Sequence, residues 1–401
     1  MVFWYMRRYQ LLTLLLIFTL PFFPNQFVDA RTQQSLPLIA FFILLLCISL
    51  LPIFFRAFLH DVKRKFIPTI FFLVFLIPLT IATIFSIDKQ QSVLQLLLFF
   101  SYFVIFVSIP AVFQSFRSKE LFTACYLLLT ACLSFISLYN TLIRHYVNRQ
   151  NLSFLWIYFG HNHLSTLLIF AIPLCLYALS IYWEKSRLRL IFLAIIFILL
   201  ASLLFTFSIG SMFVLALSFL VIWLMFNKTL PLKKSFLMVF AVLTLFALGS
   251  FSFFSIHKGL KTLNLRKDPN HNVSVRLIYW QKAFDNFIQR PLTGTGPDTF
   301  SKINITTRPF SWYTHNFFIQ MLTDSGIFGF LASILLIGAV LWRGYQIIKT
   351  VSTKREQLFY LSIFIGLVSS TLMAMADFEW QLPTAFLFFW IFAGFLRNYA
   401  N

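Results

Sequence analysis

The sequence predicts an all-α polytopic membrane protein of about twelve transmembrane helices, with a long outer loop between the ninth and tenth. Three observations predict it. Apolar runs of spanning length recur along nearly the whole chain. Hydrophobic residues make up 60% of it and charged residues only 11%, well outside the range of soluble domains. Basic residues gather in alternate gaps between the apolar runs, as membrane topology requires. The formal net charge of +20 is therefore spread over short loops, which argues against nucleic-acid binding.

A bilayer span needs about 20 mostly apolar residues. On that scale the candidate spans lie near 10–28, 37–58, 67–86, 92–115, 120–143, 163–183, 189–207, 209–227, 235–256, 316–342, 357–376 and 382–399. A turn at Ser208-Ile209-Gly210-Ser211 divides the seventh from the eighth. Arg7-Arg8, the first apolar run and Val28-Asp29-Ala30 have the form of a signal peptide with a cleavage site, but the run is long, so an uncleaved first span is expected. The chain reads as one transmembrane domain, 1–401, without repeats or low-complexity linkers. Cys47, Cys125, Cys132 and Cys175 all fall in apolar segments without metal-ligand spacing and read as small buried hydrophobes.

Orientation follows from the basic residues. One set of gaps holds Arg7-Arg8, Arg56 with Lys63-Arg64-Lys65, Arg117 and Lys119, the 185–189 cluster, Lys228 with Lys233-Lys234, the 343–355 cluster and Arg397. The other set, leaving aside the long loop, has only Arg31, Lys89, Arg144 and Arg149. Both termini are thus expected in the cytoplasm. The loop 257–315, with 144–162, 208–211 and 377–379, is expected on the outer face.

That loop carries the chemistry. Lys258, Lys261, Arg266, Lys267, Arg276, Lys282, Arg290, Lys302 and Arg308 stand there against Asp268, Asp285 and Asp298. So basic a polar segment suits an anionic ligand. Apolar residues at 277, 280, 284, 287 and 288 predict an amphipathic helix on the membrane surface, capped by Asn272 or Ser274 and followed by Pro291. Arg276 on it has the bidentate fork that grips phosphate, or it contacts headgroups. Gly294 and Gly296 in the 290–298 turn let backbone approach a ligand or another segment. No Lys-Ser/Thr follows them, so this is no Walker loop. His315, where the chain re-enters the bilayer, can take a proton from a hydroxyl or simply bond a carbonyl. His161 and His163, two apart on a helix, point in different directions and carry no metal expectation. No carboxylate dyad of the glycosidase kind occurs.

Together these segments carry a resemblance. Arg276-x3-Trp280-x2-Ala283, Pro291-Leu292-x-Gly294-x-Gly296-Pro297 and His315-Asn316-x9-Gly326-x2-Gly329 resemble the O-antigen ligase and O-antigen polymerase superfamily. Gly160-x-Asn162-His163-Leu164 and the segment from Asp377 to Trp390 are similar to its flanking regions, and the likeness runs over roughly 155–395. It implies a membrane glycosyltransferase of the periplasmic face of the bacterial inner membrane, without cofactor, nucleotide sugar or metal. The implied donor is an undecaprenyl-diphosphate-linked glycan. The implied acceptor is the lipid A–core of lipopolysaccharide, or another glycan, with membrane lipids as surroundings. His315 and Arg276 are the implied catalytic pair, with inversion at the anomeric carbon. Trp280, Asn316, Asn162, Gly294, Gly296 and Asp377 are the implied substrate-binding residues. The family's arginine at the head of the eighth span is replaced by Ile209 here, so Arg308, Lys302 or another loop base substitutes, or activity is altered.

Polymerase and protein O-oligosaccharyltransferase activities differ from the ligase only in acceptor. A transporter would carry polar groups at the midplane, where the spans are poor in charge. A non-catalytic scaffold is the third class. The orientation is testable with cysteines introduced at Leu230 and Asp285 after replacement of the native ones. A membrane-impermeant thiol reagent should label position 285 and spare 230. The reverse pattern would invert the topology.

Overall fold

The computed structural model describes residues 2–19, 36–146, 161–206, 208–226, 272–305, 307, 310–377 and 379–397. The span expected at 235–256, the loop portion 257–271, the segment around Ala30 and Arg308 lie outside the described residues. No strand occurs among the described residues. The helices are α1 (Val2–Thr19), α2 (Leu36–Lys63), α3 (Ile67–Ile84), α4 (Lys89–Val112), α5 (Phe116–Tyr146), α6 (His161–Ile181), α7 (Ser186–Phe205) and α8 (Ile209–Phe226). Then follow α9 (Asn272–Gln289), α10 (Phe317–Thr350), α11 (Lys354–Ala374) and α12 (Pro383–Phe395).

Among the described residues, 8 helices are long and apolar enough to cross a membrane. The last one is too short. At about 1.5 Å per residue, the 13 residues of α12 reach well under the ~30 Å of a hydrocarbon core. All of them are buried. Within the run 382–399, expected as a span, α12 is an apolar pillar inside the bundle, packed by α2, α4, α6 and α11. Its Trp390 contacts Phe72 of α3 at 4.4 Å and Phe106 of α4 at 5.6 Å between ring centres. The chain's many phenylalanines are shared between this interior and the outer surface, where Phe41, Phe135, Phe197 and Phe213 are exposed as lipid contact would have them. Of the four cysteines, Cys47 and Cys175 are buried, but Cys132 is exposed and Cys125 half-buried, so the expectation of four buried thiols fails on α5.

The two ends of the bundle are closed differently. At one end, buried Arg397, just past α12, donates to the carbonyls of Val107 and Ala57, each at 2.9 Å, and pairs with Asp61. Thr69 donates to the other Asp61 oxygen at 2.8 Å, so one buried ion pair ties α2, α3, α4 and the chain beyond α12 together. At the opposite end the connecting segments converge and dock through backbone.

That docking depends on a break in α10. Ser325 (φ −135°) and Gly326 (φ 66°) leave helical geometry, which exposes carbonyls that an unbroken helix would use internally. The amides of Thr295 and Gly296 donate to the carbonyls of Thr323 and Asp324, both at 2.9 Å, and the Ile327 amide donates to Pro291 O at 2.9 Å. Gly294 (φ 63°) and Gly326 are required there. A Cβ on the first would sit 2.5 Å from the Asp324 carbonyl, and one on the second 2.6 Å from that of Leu292. The Gly-x-Gly turn and the Gly326 motif are two sides of one joint.

Candidate functional site

α9 begins the site. Its Tyr279 and Ala283 are buried against Phe300, while Leu277, Phe284 and Ile288 face outward, as a helix lying on a membrane surface would have them. Arg276, one turn into the helix, lies close to the 375–382 turn that joins α11 to α12.

Asp377 in that turn organises the site. Its side chain is 2% exposed, and its two oxygens serve two partners. Oδ2 accepts from Arg276 Nη2 at 3.2 Å, and Oδ1 lies 2.9 Å from His315 Nδ1. A carboxylate only accepts hydrogen bonds, so Nδ1 carries the proton and Nε2 is the basic nitrogen of the ring. His315 stacks on Tyr279 at 5.7 Å and 15° between ring planes, which fixes the imidazole on one face. Its backbone takes φ 56°, uncommon outside glycine and worth about 1–3 kcal/mol of strain. Imidazole, carboxylate and guanidinium are thus held as one unit drawn from three segments.

Neighbouring groups hold His315 in place. Trp280 Nε1 donates to Thr314 O at 2.9 Å, and the Thr314 amide donates to Gln320 Oε1 at 3.0 Å. Asn316 is the N-cap of α10: its Oδ1 accepts from the amides of Phe318 and Ile319. Its Nδ2 donates to Met375 O at 2.7 Å, which ties the cap to the turn bearing Asp377. Trp280 and Asn316, expected at the substrate, have these polar atoms engaged in holding the segment that bears His315.

The other candidates fall elsewhere. Lys302 pairs with Asp88 at 3.2 Å at the α3–α4 turn, separate from the Asp377 cluster. Gly294 approaches the backbone of α10 in the joint described above, and Gly296 approaches the side chains of Ser86 and Ser92. Asn162 lies in the first turn of α6, which is linked to the start of α8 by Ser165 Oγ and Ser211 Oγ at 2.6 Å. Arg308 lies outside the described residues.

Sequence reasoning passed over two groups. Asp324 accepts from the Asp298 amide at 3.0 Å and from Gln320 Nε2 at 2.9 Å, which fastens the loop to α10. An acid inside an apolar run was the available signal. Glu379, two residues beyond Asp377, is buried, and burial first and the charge of Asp377 second push its carboxyl well above the usual carboxylate range. Burial likewise raises Asp298 to about 6, opposed by a hydrogen bond from Gln91 and helped by Asp88. Among the described residues, no group of three or more His, Cys, Asp or Glu is placed to hold a metal ion.

One stretch of the chain that contributes to this geometry is similar to a known family. Residues 194–334 match the family model of O-antigen ligase, a stretch that includes both Arg276 and His315. The apolar helices make the chain a multi-pass membrane protein, and the matched stretch supports a glycan-processing function of the O-antigen ligase and polymerase type. Asp377, which joins Arg276 to His315, lies beyond the matched stretch. No curated protein matches the chain.

The assignment of Asn316 to positioning has a measurable consequence. Asn316→Ala should lower stability by about 1–2 kcal/mol, the usual loss for a removed cap, seen as a lower melting temperature in detergent. Asn316→Asp, which keeps the capping oxygen, should recover most of it. An alanine variant with unchanged melting temperature and a raised KM alone would return Asn316 to the substrate.

Proposed function

We propose that the chain is an O-antigen ligase-type glycosyltransferase that moves a glycan from undecaprenyl diphosphate to a lipid A–core acceptor. The reaction takes place at the periplasmic face of the inner membrane, with both termini cytoplasmic. The observation that carries this reading is the sharing of one buried carboxylate by Arg276 and His315 within and beside an O-antigen ligase domain.

His315 Nε2 takes the proton of an acceptor hydroxyl, and the oxygen attacks the anomeric carbon of the donor sugar. The bond from that carbon to the diphosphate oxygen breaks, and the electron pair leaves with the lipid diphosphate. Asp377 stabilises the imidazolium that forms and keeps the ring in the productive tautomer, as the carboxylate of a nucleophile–base–acid triad does. Arg276 uses one terminal nitrogen on Asp377; its remaining N–H donors face the charge that grows on the leaving oxygen. A single displacement inverts the anomeric centre.

The direct test is glycan transfer by the purified, reconstituted protein. His315→Ala should lose roughly 10²–10⁴ in turnover while the protein still inserts. His161→Ala and His163→Ala should lose far less. Near-normal turnover in the His315 variant would remove it as the base.

Arg276→Lys separates a phosphate fork from a headgroup contact. It keeps the charge but loses the fork, so transfer should drop by about 10- to 100-fold. A lysine variant with full activity at normal expression would take Arg276 out of the site.

A further inference from the structure

Two buried side chains on α10 connect the backbone joint to the segment that bears His315. Asp324 meets the 296–298 turn twice: its carbonyl accepts the Gly296 amide at 2.9 Å, and its Oδ2 accepts the Asp298 amide at 3.0 Å. Its other oxygen, Oδ1, accepts from Gln320 Nε2 at 2.9 Å, one turn back on the same helix face. Gln320 Oε1 in turn accepts the Thr314 amide at 3.0 Å. Thr314 immediately precedes His315. These contacts form an unbroken path from the turn to the residue before the imidazole, and the mechanism above uses neither Gln320 nor Asp324.

We propose that Gln320, oriented by Asp324, is a positioning residue for His315, so that the 291–298 joint sets where the imidazole stands. This rests on His315 being the base, as in the reaction above. Three observations support it. First, a glutamine amide can lie either way round, and Asp324 selects one way. Oδ1 is an acceptor, so the Nε2 donor turns towards it and Oε1 is left to the Thr314 amide. Second, Gln320 is 1% exposed, Asp324 2% and Thr314 0%. With water excluded, a lost contact in this path is not replaced by hydration. Third, Thr314 is held at both backbone groups, its amide by Gln320 and its carbonyl by Trp280 Nε1 at 2.9 Å. The next residue then turns into the left-handed region, φ 56°, with its ring on Asp377. Strained backbone of that kind persists only while the contacts around it enforce it.

The test is transfer from undecaprenyl-diphosphate-linked glycan to lipid A–core by the full-length reconstituted protein, with kcat, donor KM and melting temperature taken on the same samples. Rates are read well below each melting temperature, where a role in stability alone leaves kcat unchanged. Gln320→Leu keeps the Asp324–Asp298 contact and should lower kcat by about 10- to 100-fold with KM within about threefold, as a displaced reacting group does. Asp324→Asn presents an NH2 where both neighbours are N–H donors, and should lower kcat to a similar extent. Adding Gln320→Glu supplies an acceptor to both the Thr314 amide and that NH2, so the pair should regain most of the lost kcat. In a His315→Ala background, Gln320→Leu should have no further effect on turnover. If Gln320→Leu keeps wild-type kcat while His315→Ala is slow, the inference falls and the base reading stands. The same holds if the pair stays as slow as Asp324→Asn, a comparison that preserves side-chain size and serves where the leucine variant does not fold. If Gln320→Leu slows the His315→Ala protein as much as it slows wild type, Gln320 acts elsewhere and the inference also falls. If His315→Ala itself keeps near-normal turnover, the base reading fails first and takes the inference with it.

Discussion

One carboxylate sets the arrangement of the site. Asp377 is the point where α9, the α10 entrance and the α11–α12 turn meet, through an ion pair with Arg276 and a hydrogen bond from His315. Removing either partner would leave a buried charge less than fully compensated, a penalty of several kcal/mol in typical cases. The ion pairing therefore does two jobs at once. It closes the end of the bundle, and it fixes the tautomer and direction of the imidazole. The strained backbone of His315 and its stacking on Tyr279 fit the same picture, since a residue is held in a left-handed conformation only where its surroundings insist on it.

Around that carboxylate the fold supplies rigidity through backbone contacts. The break at Ser325–Gly326 lets the 291–296 turn pair with α10 almost as one strand pairs with another. Asp324 locks the turn from the side by accepting the Asp298 amide. The chain thereby anchors an irregular segment at the end of an apolar bundle, and His315 sits at the end of that segment. At the far end, the Arg397–Asp61 pair gathers the helix termini, so the pillar α12 is fixed at both ends by ionic contacts and along its length by aromatic packing.

Much of this was legible in the sequence, and the rest was hidden for physical reasons. Span-length apolar runs predicted the helices, because hydrocarbon solubility is a one-dimensional property. They did not reveal that 383–395 is interior, since a buried helix and a lipid-facing one have the same composition. The surface helix at 272–289 and the importance of Arg276, His315 and the glycine motifs were readable from charge and spacing. What the glycines do was not: Gly294, Gly296 and Gly326 serve a backbone joint between segments about thirty residues apart, and no local pattern announces it. The sequence marked Asp377 only through the family resemblance, as an implied substrate-binding residue. Its bridging role depends on a contact with residues 101 and 62 positions away.

The central claim is that Asp377 acts through His315 and not independently of it. A double-mutant cycle on glycan transfer, comparing His315→Ala, Asp377→Asn and the pair, measures this directly. The account predicts strong non-additivity, with the double variant hardly slower than His315→Ala alone. Additive losses, the double variant slower by the product of the two single effects, would contradict it.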